Sequence, residues 1–199
     1  MLIGYCKLVV ERSPLPLQWQ TNDVITSIYG ESIENTDNLF RKVILSCHND
    51  DVTVLNNKVL SRLQRNVKVY YSIDFAKPRG VDQNEDDVTL NYQIEYLNSL
   101  RFPGFPEHKL RLKVGAVIML LRNLCVNEGL CNGTRLQIVQ LYESNISARI
   151  LTGDKKGDVV FIPRIKLDIG ESTKWPFILH RRQFPVPWSA IRCVVKVLP

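Results

Sequence analysis

Hydrophobic and polar positions are patterned most strongly just past the middle of the chain. Leu110–Val114 alternates apolar and polar side chains, and an unbroken apolar run, Ala116–Leu121, follows it. The run is too short to cross a bilayer, and its length beside Gly and β-branched residues predicts a fully buried strand. A polar loop containing Asn132 and Gly133, a pair suited to a turn with positive φ, leads to a second strand at Leu136–Leu141. The pattern predicts two strands of a small barrel or sandwich.

Turn-forming residues recur at short intervals after this point. The segments between them predict further strands at Ile146–Leu151, Asp158–Leu167 and Trp175–His180. Short strands at this spacing favour a small antiparallel β-barrel, which we place at residues 108–182.

The first half of the chain has a different pattern. A helix is predicted within Trp19–Tyr29, and a short buried strand at Val43–Leu45. Asn49 or Asp50 can cap the next helix. Its apolar face repeats every three or four residues and comprises Val52, Leu55, Val59 and Leu63. Val67–Tyr71 is the next predicted strand, and this β–α–β order with short connections favours a parallel sheet.

A polar stretch separates the two halves. Lys77–Asp87 contains Pro and Gly and is acidic at its end, which predicts a mobile surface linker. A short helix should follow it, capped by Asp87 or Thr89 and ended by Phe102–Pro106. The apolar side of that helix comprises Leu90, Ile94, Leu97 and Leu100. We therefore expect an α/β domain at 19–75, a linker and helix at 76–107, and the barrel at 108–182. Residues 1–18 are unassigned, and 183–199 form a return segment and a tail.

The charge of the chain is unevenly distributed. The 199 residues have a net charge of +6, but residues 1–100 hold 10 basic against 13 acidic side chains. The positive excess therefore lies wholly in the second half, where the barrel is predicted. A localised basic excess favours a polyanionic partner such as nucleic acid, although many ordinary domains are mildly basic.

The cysteines and histidines indicate no metal or catalytic site. Cys125 and Cys131 are six residues apart, and neither a second pair nor a suitably spaced histidine accompanies them, which argues against zinc. Five scattered cysteines favour reduced thiols in an intracellular protein. His48, His108 and His180 have no spacing typical of ligation or catalysis.

Four long phrases of this sequence carry a family resemblance. They are PEHKLRLKVGAVIMLLRNL, GLCNGTRL, VVFIPRI and HRRQFPV. Together they resemble the petite-integration-frequency family of superfamily 1 DNA helicases, and most closely the copies carried by Helitron rolling-circle transposons. The resemblance extends from about Phe40 to Pro185.

This resemblance implies a domain organisation and cofactors. Residues 19–75 would be part of the second RecA-like motor domain, with Asn49, Asn56 and Asn57 near its fourth helicase motif. These asparagines could equally cap or end the helix. The barrel would be the family's Src-homology-3-like 2B domain. The intact family uses Mg-ATP and acts on DNA, which implies a nuclear protein of DNA repair, recombination or telomere maintenance.

The sequence also lacks features of a complete motor. It contains no G-x-x-x-x-G-K-[ST] loop, no Gly-Lys pair and no strand ending in an acidic pair for Mg²⁺. After HRRQFPV the family continues into a Lys-Ser-Gln-Gly-Gln motif, whereas this chain continues with Pro187–Cys193 (PWSAIRC). We therefore expect no cofactor in this chain and no ATP hydrolysis by it alone.

Basic residues of the second half are the candidate DNA-binding residues. They are Arg122, Arg135, Lys155, Lys156, Arg164, Lys166, Arg181 and Arg182, and Phe161, Trp175 and Phe177 are interleaved with them. Cations position phosphates, and aromatic rings stack on splayed bases. Each has a plain structural alternative: Arg135 could bind loop carbonyls, the two lysines could be solvated at a turn, and the aromatics could be core. Arg181 and Arg182 are the strongest candidates.

The expected function is that of a helicase fragment that binds single-stranded DNA without turnover. The alternatives are a non-catalytic protein-interaction module and a non-functional transposon-derived relic. Neither a metal nor a membrane is expected as a partner, and no residue is assigned a catalytic role.

Overall fold

The computed structural model of the chain describes residues 24–29, 44–46, 49–78, 92–102, 104–169, 176–187 and 191–193. The helices are α1 (Val24–Tyr29), α2 (Asn49–Arg62) and α3 (Ile94–Ser99). The strands are β1 (Ile44–Ser46), β2 (Lys68–Tyr71), β3 (Ile73–Pro78), β4 (Lys109–Leu112), β5 (Val117–Met119), β6 (Arg135–Leu141), β7 (Asn145–Ile150), β8 (Val159–Pro163), β9 (Ile165–Ile169), β10 (Phe177–Gln183) and β11 (Ile191–Cys193). Within these residues no helix has the length and apolar character of a membrane span.

The apolar run and the strands after it form a four-stranded antiparallel sheet in the order β5-β6-β7-β8. Alternate residues of β6 and β7 are buried, so one face of the sheet lines the main core. The predicted strands 116–121, 136–141 and 146–151 are confirmed. The sheet is antiparallel as expected, but the described strands do not pair β8 back onto β5 to close a barrel.

The core side of β5 differs from the expectation in detail. Val117, Ile118 and Leu120 have no exposed surface, whereas Met119 and Leu121 are half-buried. Gly133 provides the positive φ of the predicted turn, at +88°, while Asn132 keeps a negative φ. A single glycine is enough for this turn.

The predicted strand 158–167 is wrong as one element. It is two strands, β8 and β9, which belong to different sheets and are separated at Arg164. Pro163 is the last residue of β8 and has no N–H to donate to a neighbouring strand, so the hydrogen-bonded ladder ends there.

The predicted parallel sheet of β1 and β2 is also wrong. β1 does lie in a parallel pair, but its partner is β11, in the tail. β2 pairs antiparallel with β4 instead. Burial explains this pairing, because Tyr70 of β2 packs edge-on against Phe184, with ring centroids 4.9 Å apart, and so joins the main core.

Helix α2 packs on the same core. Val59 and Leu63 are buried there, as the helical spacing predicts, and Leu60, which was not on the predicted face, is buried as well. The buried Lys113 donates hydrogen bonds from Nζ to the carbonyls of Leu60 and Leu63, at 2.8 and 2.7 Å. A cation at the end of a helix satisfies carbonyls that have no partner within the helix, and it complements the helix dipole. Lys113 thereby ties α2 to the turn after β4.

A second sheet, β3-β10-β9, is antiparallel and has its own small core with α3. Lys77 and Pro78 belong to β3, so the predicted linker cannot begin at Lys77; its residues 79–87 lie outside the described part. Helix α3 begins only at Ile94, which is exposed, and Leu97 is its buried residue. The predicted caps Asp87 and Thr89, and Leu90, also lie outside it. The domain boundaries stay a prediction.

Candidate nucleic-acid interface

The strongest sequence candidate, Arg181, lies in the interior. It has no exposed surface, and its guanidinium forms a two-pronged ion pair with Asp74, with Nη2 2.7 Å and Nε 3.0 Å from the carboxylate oxygens. Its remaining protons go to the backbone carbonyls of Leu97, Leu100 and Pro106. Every donor is used inside the protein, so the prediction that Arg181 contacts phosphate is wrong.

Arg182 is the next residue of β10 and points the opposite way, because successive strand residues alternate between faces. It is exposed and lies opposite Ile73 of β3 and Lys166 of β9. Lys166 is exposed too, with its ammonium 4.0 Å from Asp168. The outer face of this sheet therefore brings together two predicted cations from different strands.

Asp74 is the centre of a buried polar network. Ser72 donates from Oγ to Asp74 Oδ1 at 2.6 Å, and its Oγ lies 2.8 Å from Nδ1 of His108. The hydroxyl has one proton, which goes to Asp74, so neutral His108 donates its Nδ1 proton to Ser72. Burial lowers the pKa of His108, and the Arg181 charge lowers it further, against the opposing effect of Asp74. Ser72 therefore links His108 to Asp74 through hydrogen bonds.

Two loops meet at one end of the four-stranded sheet. A side-chain carbon on Gly129, whose φ is +74°, would lie 3.2 Å from the Lys155 side chain, so the loops are in close contact. Lys155 and Lys156 are exposed at the turn, and Arg135 begins β6 beside Thr152, whose Oγ1 accepts its backbone N–H. A shallow cleft of about 450 Å³ lies between the loops. The structure thus groups three of the predicted cations at this end.

The two remaining predicted arginines have aromatic neighbours. Arg122 is exposed, and its guanidinium carbon lies 4.5 Å from the ring centroid of Phe105. Arg164 is half-buried, donates from Nη1 to the Tyr71 carbonyl at 2.9 Å and lies over the Phe184 ring. Arg164, which lies between β8 and β9, therefore holds the end of β2 through this hydrogen bond. Its charge is less accessible to solvent than that of Arg122.

Arg164 also lies near Tyr70, whose hydroxyl donates to the carbonyl of Tyr142 at 2.6 Å. Burial raises the pKa of Tyr70 to about 12, the Glu143 charge adds to this effect, and Arg164 opposes it. Tyr70 therefore stays neutral across the physiological range and acts as a core residue.

The aromatic residues singled out in the sequence differ in burial. Phe177 is buried as expected for core, but Phe161 is 60% exposed on the outer face of β8, so its expected place in the core is wrong. Trp175 lies outside the described residues. Phe161 belongs to the four-stranded sheet, whereas Lys166 and Arg182 belong to the three-stranded sheet.

The asparagines of the predicted motor motif lie on α2. Asn49 is its first residue, Asn56 is buried and Asn57 is exposed. Nothing in their surroundings tests the motor role, which stays a prediction. Within the described residues Cys125 and Cys131 are free thiols, and no group of three or more His, Cys, Asp or Glu side chains could hold a metal ion.

Several exposed residues of one face were missed by the sequence analysis. Tyr71, Ile73 and Phe75 share the outer side of the extended segment from β2 to β3, with Lys109 of β4 opposite Tyr71. The available signal was the alternation of apolar and polar side chains from Tyr71 to Phe75. We missed it because 67–71 was interpreted as a buried parallel strand and 77–87 as a linker.

Comparison with known proteins now identifies part of the chain. A family model described as the 2B domain of DNA helicase Pif1 matches residues 95–141. No curated protein sequence matches the chain at a significant level.

Solved structures share its fold. Unliganded Pif1 from Bacteroides sp. is 20% identical with a TM-score of 0.52, and the match covers 75% of this chain and 40% of that one. Pif1 helicase from Candida albicans is 18% identical with a TM-score of 0.50, covering 75% of this chain and 35% of that one. A structure of two coordinating Pif1 helicases at forked double-stranded DNA is 17% identical with a TM-score of 0.51, covering 85% and 35%.

The chain thus spans about 35 to 40% of the length of these solved relatives. It consists mostly of antiparallel sheets with few helices, as the corresponding part of those structures does. The resemblance found in the sequence is confirmed: residues 95–141 match the 2B domain of the petite-integration-frequency DNA helicases, and the chain has the fold of part of such a helicase.

Proposed function

We propose that the chain is the part of a DNA helicase that holds single-stranded DNA, and that alone it does not hydrolyse ATP. The observation that supports DNA binding best is the set of predicted cations that are exposed, Arg181 being buried and Arg135 and Arg164 half-buried. The exposed cations are Arg122, Lys155, Lys156, Lys166 and Arg182. Exposed cations contact phosphates and release the counterions of the nucleic acid, which favours binding.

The proposed lack of turnover rests on sequence. None of the 199 residues forms a phosphate-binding loop motif. In the family the nucleotide lies between two RecA-like domains, and only part of the second is predicted here. Mg-ATP is therefore proposed as the cofactor of an intact helicase. Release of phosphate from ATP, with and without single-stranded DNA, should equal a buffer control; DNA-stimulated release by protein free of contaminating ATPase would contradict this.

Salt dependence tests the DNA-binding proposal. Three to five phosphate contacts predict a log–log slope of roughly −2 to −3.5, at ~0.7 per contact for single strands. Arg182→Ala should flatten the slope by up to ~0.7, and Lys155→Ala should do so less because a lysine at a turn stays hydrated. Fluorescence anisotropy with labelled oligonucleotides measures this, with Lys58→Ala on the exposed side of α2 as the control. No binding by folded protein at low salt would overturn the proposal.

One observation favours a second function, that of a protein-interaction module. Val159 and Phe161 are exposed apolar side chains on the outer face of β8. Exposed apolar patches are typical of protein contacts. Failure to bind DNA, together with specific capture of another helicase segment that Phe161→Asp abolishes, would favour this function.

The remaining features are proposed from the resemblance alone. We infer that residues 108–182 form the family's Src-homology-3-like barrel, that the chain is related to Helitron copies, and that it acts in the nucleus. The free thiols of Cys125 and Cys131 are consistent with a reducing compartment. Imaging of the tagged full-length chain in cells tests its location, and exclusion from the nucleus would contradict it.

A further inference from the structure

One extended segment, Lys68–Pro78, connects the two-stranded sheet of β2 and β4 to the three-stranded sheet β3-β10-β9. Its first part, β2, pairs with β4, and its second part, β3, pairs with β10. Ser72 and Asp74 point inward, so the odd-numbered side chains point outward. Among these, Tyr71 is 54% and Ile73 59% exposed. The segment therefore presents a row of aromatic and apolar side chains to solvent.

Cations flank this row on both sides. Lys109 lies opposite Tyr71 on β4, with Nζ 5.9 Å from the centroid of the tyrosine ring. Lys166 of β9 lies 5.9 Å from the centroid of the Phe75 ring. Arg182 lies between them in register with Ile73. The exposed Tyr71 and the half-buried Phe75 thus each have an ammonium group within reach of the ring.

The acidic side chain Asp168 lies on the same face and has two side-chain partners. Asp168 lies opposite His180 and contacts its Nδ1 at 2.5 Å, and Lys166 lies 4.0 Å away. His180 stacks on Phe75, with ring centroids 4.8 Å apart. The face thus combines three cations, Lys109, Lys166 and Arg182, with one carboxylate and the two rings.

We propose that this face binds single-stranded nucleic acid, with bases stacking on Tyr71 and Phe75 and phosphates meeting the flanking cations. We call it the aromatic face, defined by Tyr71, Ile73, Phe75, Lys109, Lys166 and Arg182. The inference rests on the proposed function and names where the strand lies. Aromatic rings with flanking cations are the usual means of binding single strands without sequence preference.

The geometry favours a single strand over a duplex. Tyr71 and Phe75 are four residues apart in an extended segment, roughly 13 Å at a rise of ~3.3 Å per residue, with Ile73 between them. Unstacked bases can reach both rings, whereas the bases of a duplex are stacked on each other. In the part of the chain that the structure describes, no helix projects from this face to enter a major groove. Binding should therefore depend on bases but little on their sequence.

The test compares aromatic variants on two oligomers. Full-length protein carrying Tyr71→Leu or Phe75→Leu is titrated with labelled oligothymidine of about 12 nucleotides, and with an abasic oligomer of equal length. Loss of one stacked base should weaken binding of oligothymidine by about 5- to 150-fold. Binding of the abasic oligomer should change by less than about twofold, because phosphate contacts remain.

Phe161→Leu is the matched control. Phe161 is 60% exposed, close to the 54% of Tyr71, but it lies on β8 of the four-stranded sheet. The control variant should leave both affinities unchanged. Lys109→Ala should flatten the salt slope by ~0.7 while keeping the preference for oligothymidine over the abasic oligomer. Circular dichroism checks that each variant is folded; if Phe75→Leu is not, Tyr71→Leu decides alone, because its side chain is half exposed.

The outcomes separate this inference from the proposed function. If the parent protein binds oligothymidine and both leucine variants bind it as tightly as the parent does, the aromatic face is not the site and the inference is overturned. The proposal that the chain binds DNA is unaffected by that result. If the folded parent binds neither oligomer at about 50 mM salt, both are overturned, and the face is left to a protein partner. A selective loss with oligothymidine supports the inference.

Discussion

The four-stranded sheet β5-β6-β7-β8 and the three-stranded sheet β3-β10-β9 close their interiors in different ways. Under the four-stranded sheet the core is mainly apolar, with Ile118, Leu136, Ile146 and Ile162 fully buried. It extends to α2 and β2, which supply Val59, Leu60 and Tyr70 among others. Burial of apolar surface is sufficient to hold these elements together.

The three-stranded sheet has few apolar side chains to bury. Its core comprises Ala76, Leu97, Ile169, Phe177 and Leu179, and a fully buried ion pair lies beside it. Arg181 joins β10 to Asp74 of β3 and also donates to carbonyls of α3 and of the segment after it. An irregular segment offers unpaired carbonyls more readily than apolar surface. The comparison indicates that a buried cation can organise a small interior by satisfying backbone groups.

A charge in the apolar core should cause the largest loss. Ile118→Asp places an unpaired carboxylate where no surface is exposed, which should cost on the order of 4 kcal/mol or more, enough to unfold a marginal domain. Met119→Asp, one residue on, should cost clearly less because Met119 is half-buried. Urea unfolding followed by circular dichroism measures both. Equal costs would show that β5 does not present the described face to the core.

Removing the buried cation should have the next largest effect. Arg181→Met leaves Asp74 charged and without its main partner, at a cost of about 3 to 5 kcal/mol. Arg182→Met on the outer face should change stability by at most ~0.5 kcal/mol. Adding Asp74→Leu to Arg181→Met should recover only part of the loss, because the carbonyls of Leu100 and Pro106 still lose the arginine donor. Denaturant midpoints measure these changes in stability. Equal effects of Arg181→Met and Arg182→Met would contradict the idea that a buried cation organises the interior of the three-stranded sheet.

Acid should weaken the network around Asp74. Burial holds the pKa of His108 below its ordinary 6.5, whereas the unfolded chain titrates near that value. Below pH ~6.5 the unfolded chain takes up this proton more readily, so the stability due to neutral His108 is present above that pH and is lost as pH falls. The melting temperature should fall from pH ~7 to ~5.5, and less steeply in His108→Gln. Parallel curves would contradict a role for His108.

The smallest expected effect is on stability, from substitutions in the two loops at one end of the four-stranded sheet. Gly129→Ala and Gly153→Ala both place a side chain at positive φ, at +74° and +87°, which costs roughly 1 to 2 kcal/mol. At Gly129 the new carbon would also lie 3.2 Å from Lys155, whereas nothing lies within 4 Å at Gly153. Gly129→Ala should therefore melt at the lower temperature. The reverse order would show that the two loops are not in contact.

The predictable part of the fold coincides with strong local patterns. Alternation and one continuous apolar run were enough to predict β5, β6 and β7, since each side chain's face follows from the strand itself. Strand partners were not predictable in this way. The segment around Tyr70 has a strand pattern, but its pairing with β4 depends on packing against Phe184, which is distant in sequence.

The candidate interface was predicted only in part for the same reason. The amino-acid sequence alone determined that Arg181 and Arg182, as neighbours in a strand, point to opposite faces. Only the tertiary structure decided which one faces the interior, because that depends on Asp74, 107 positions earlier in the chain. Two identical side chains thus differ in role, because Arg181 meets the buried carboxylate of Asp74 on the neighbouring strand β3 while Arg182 faces water.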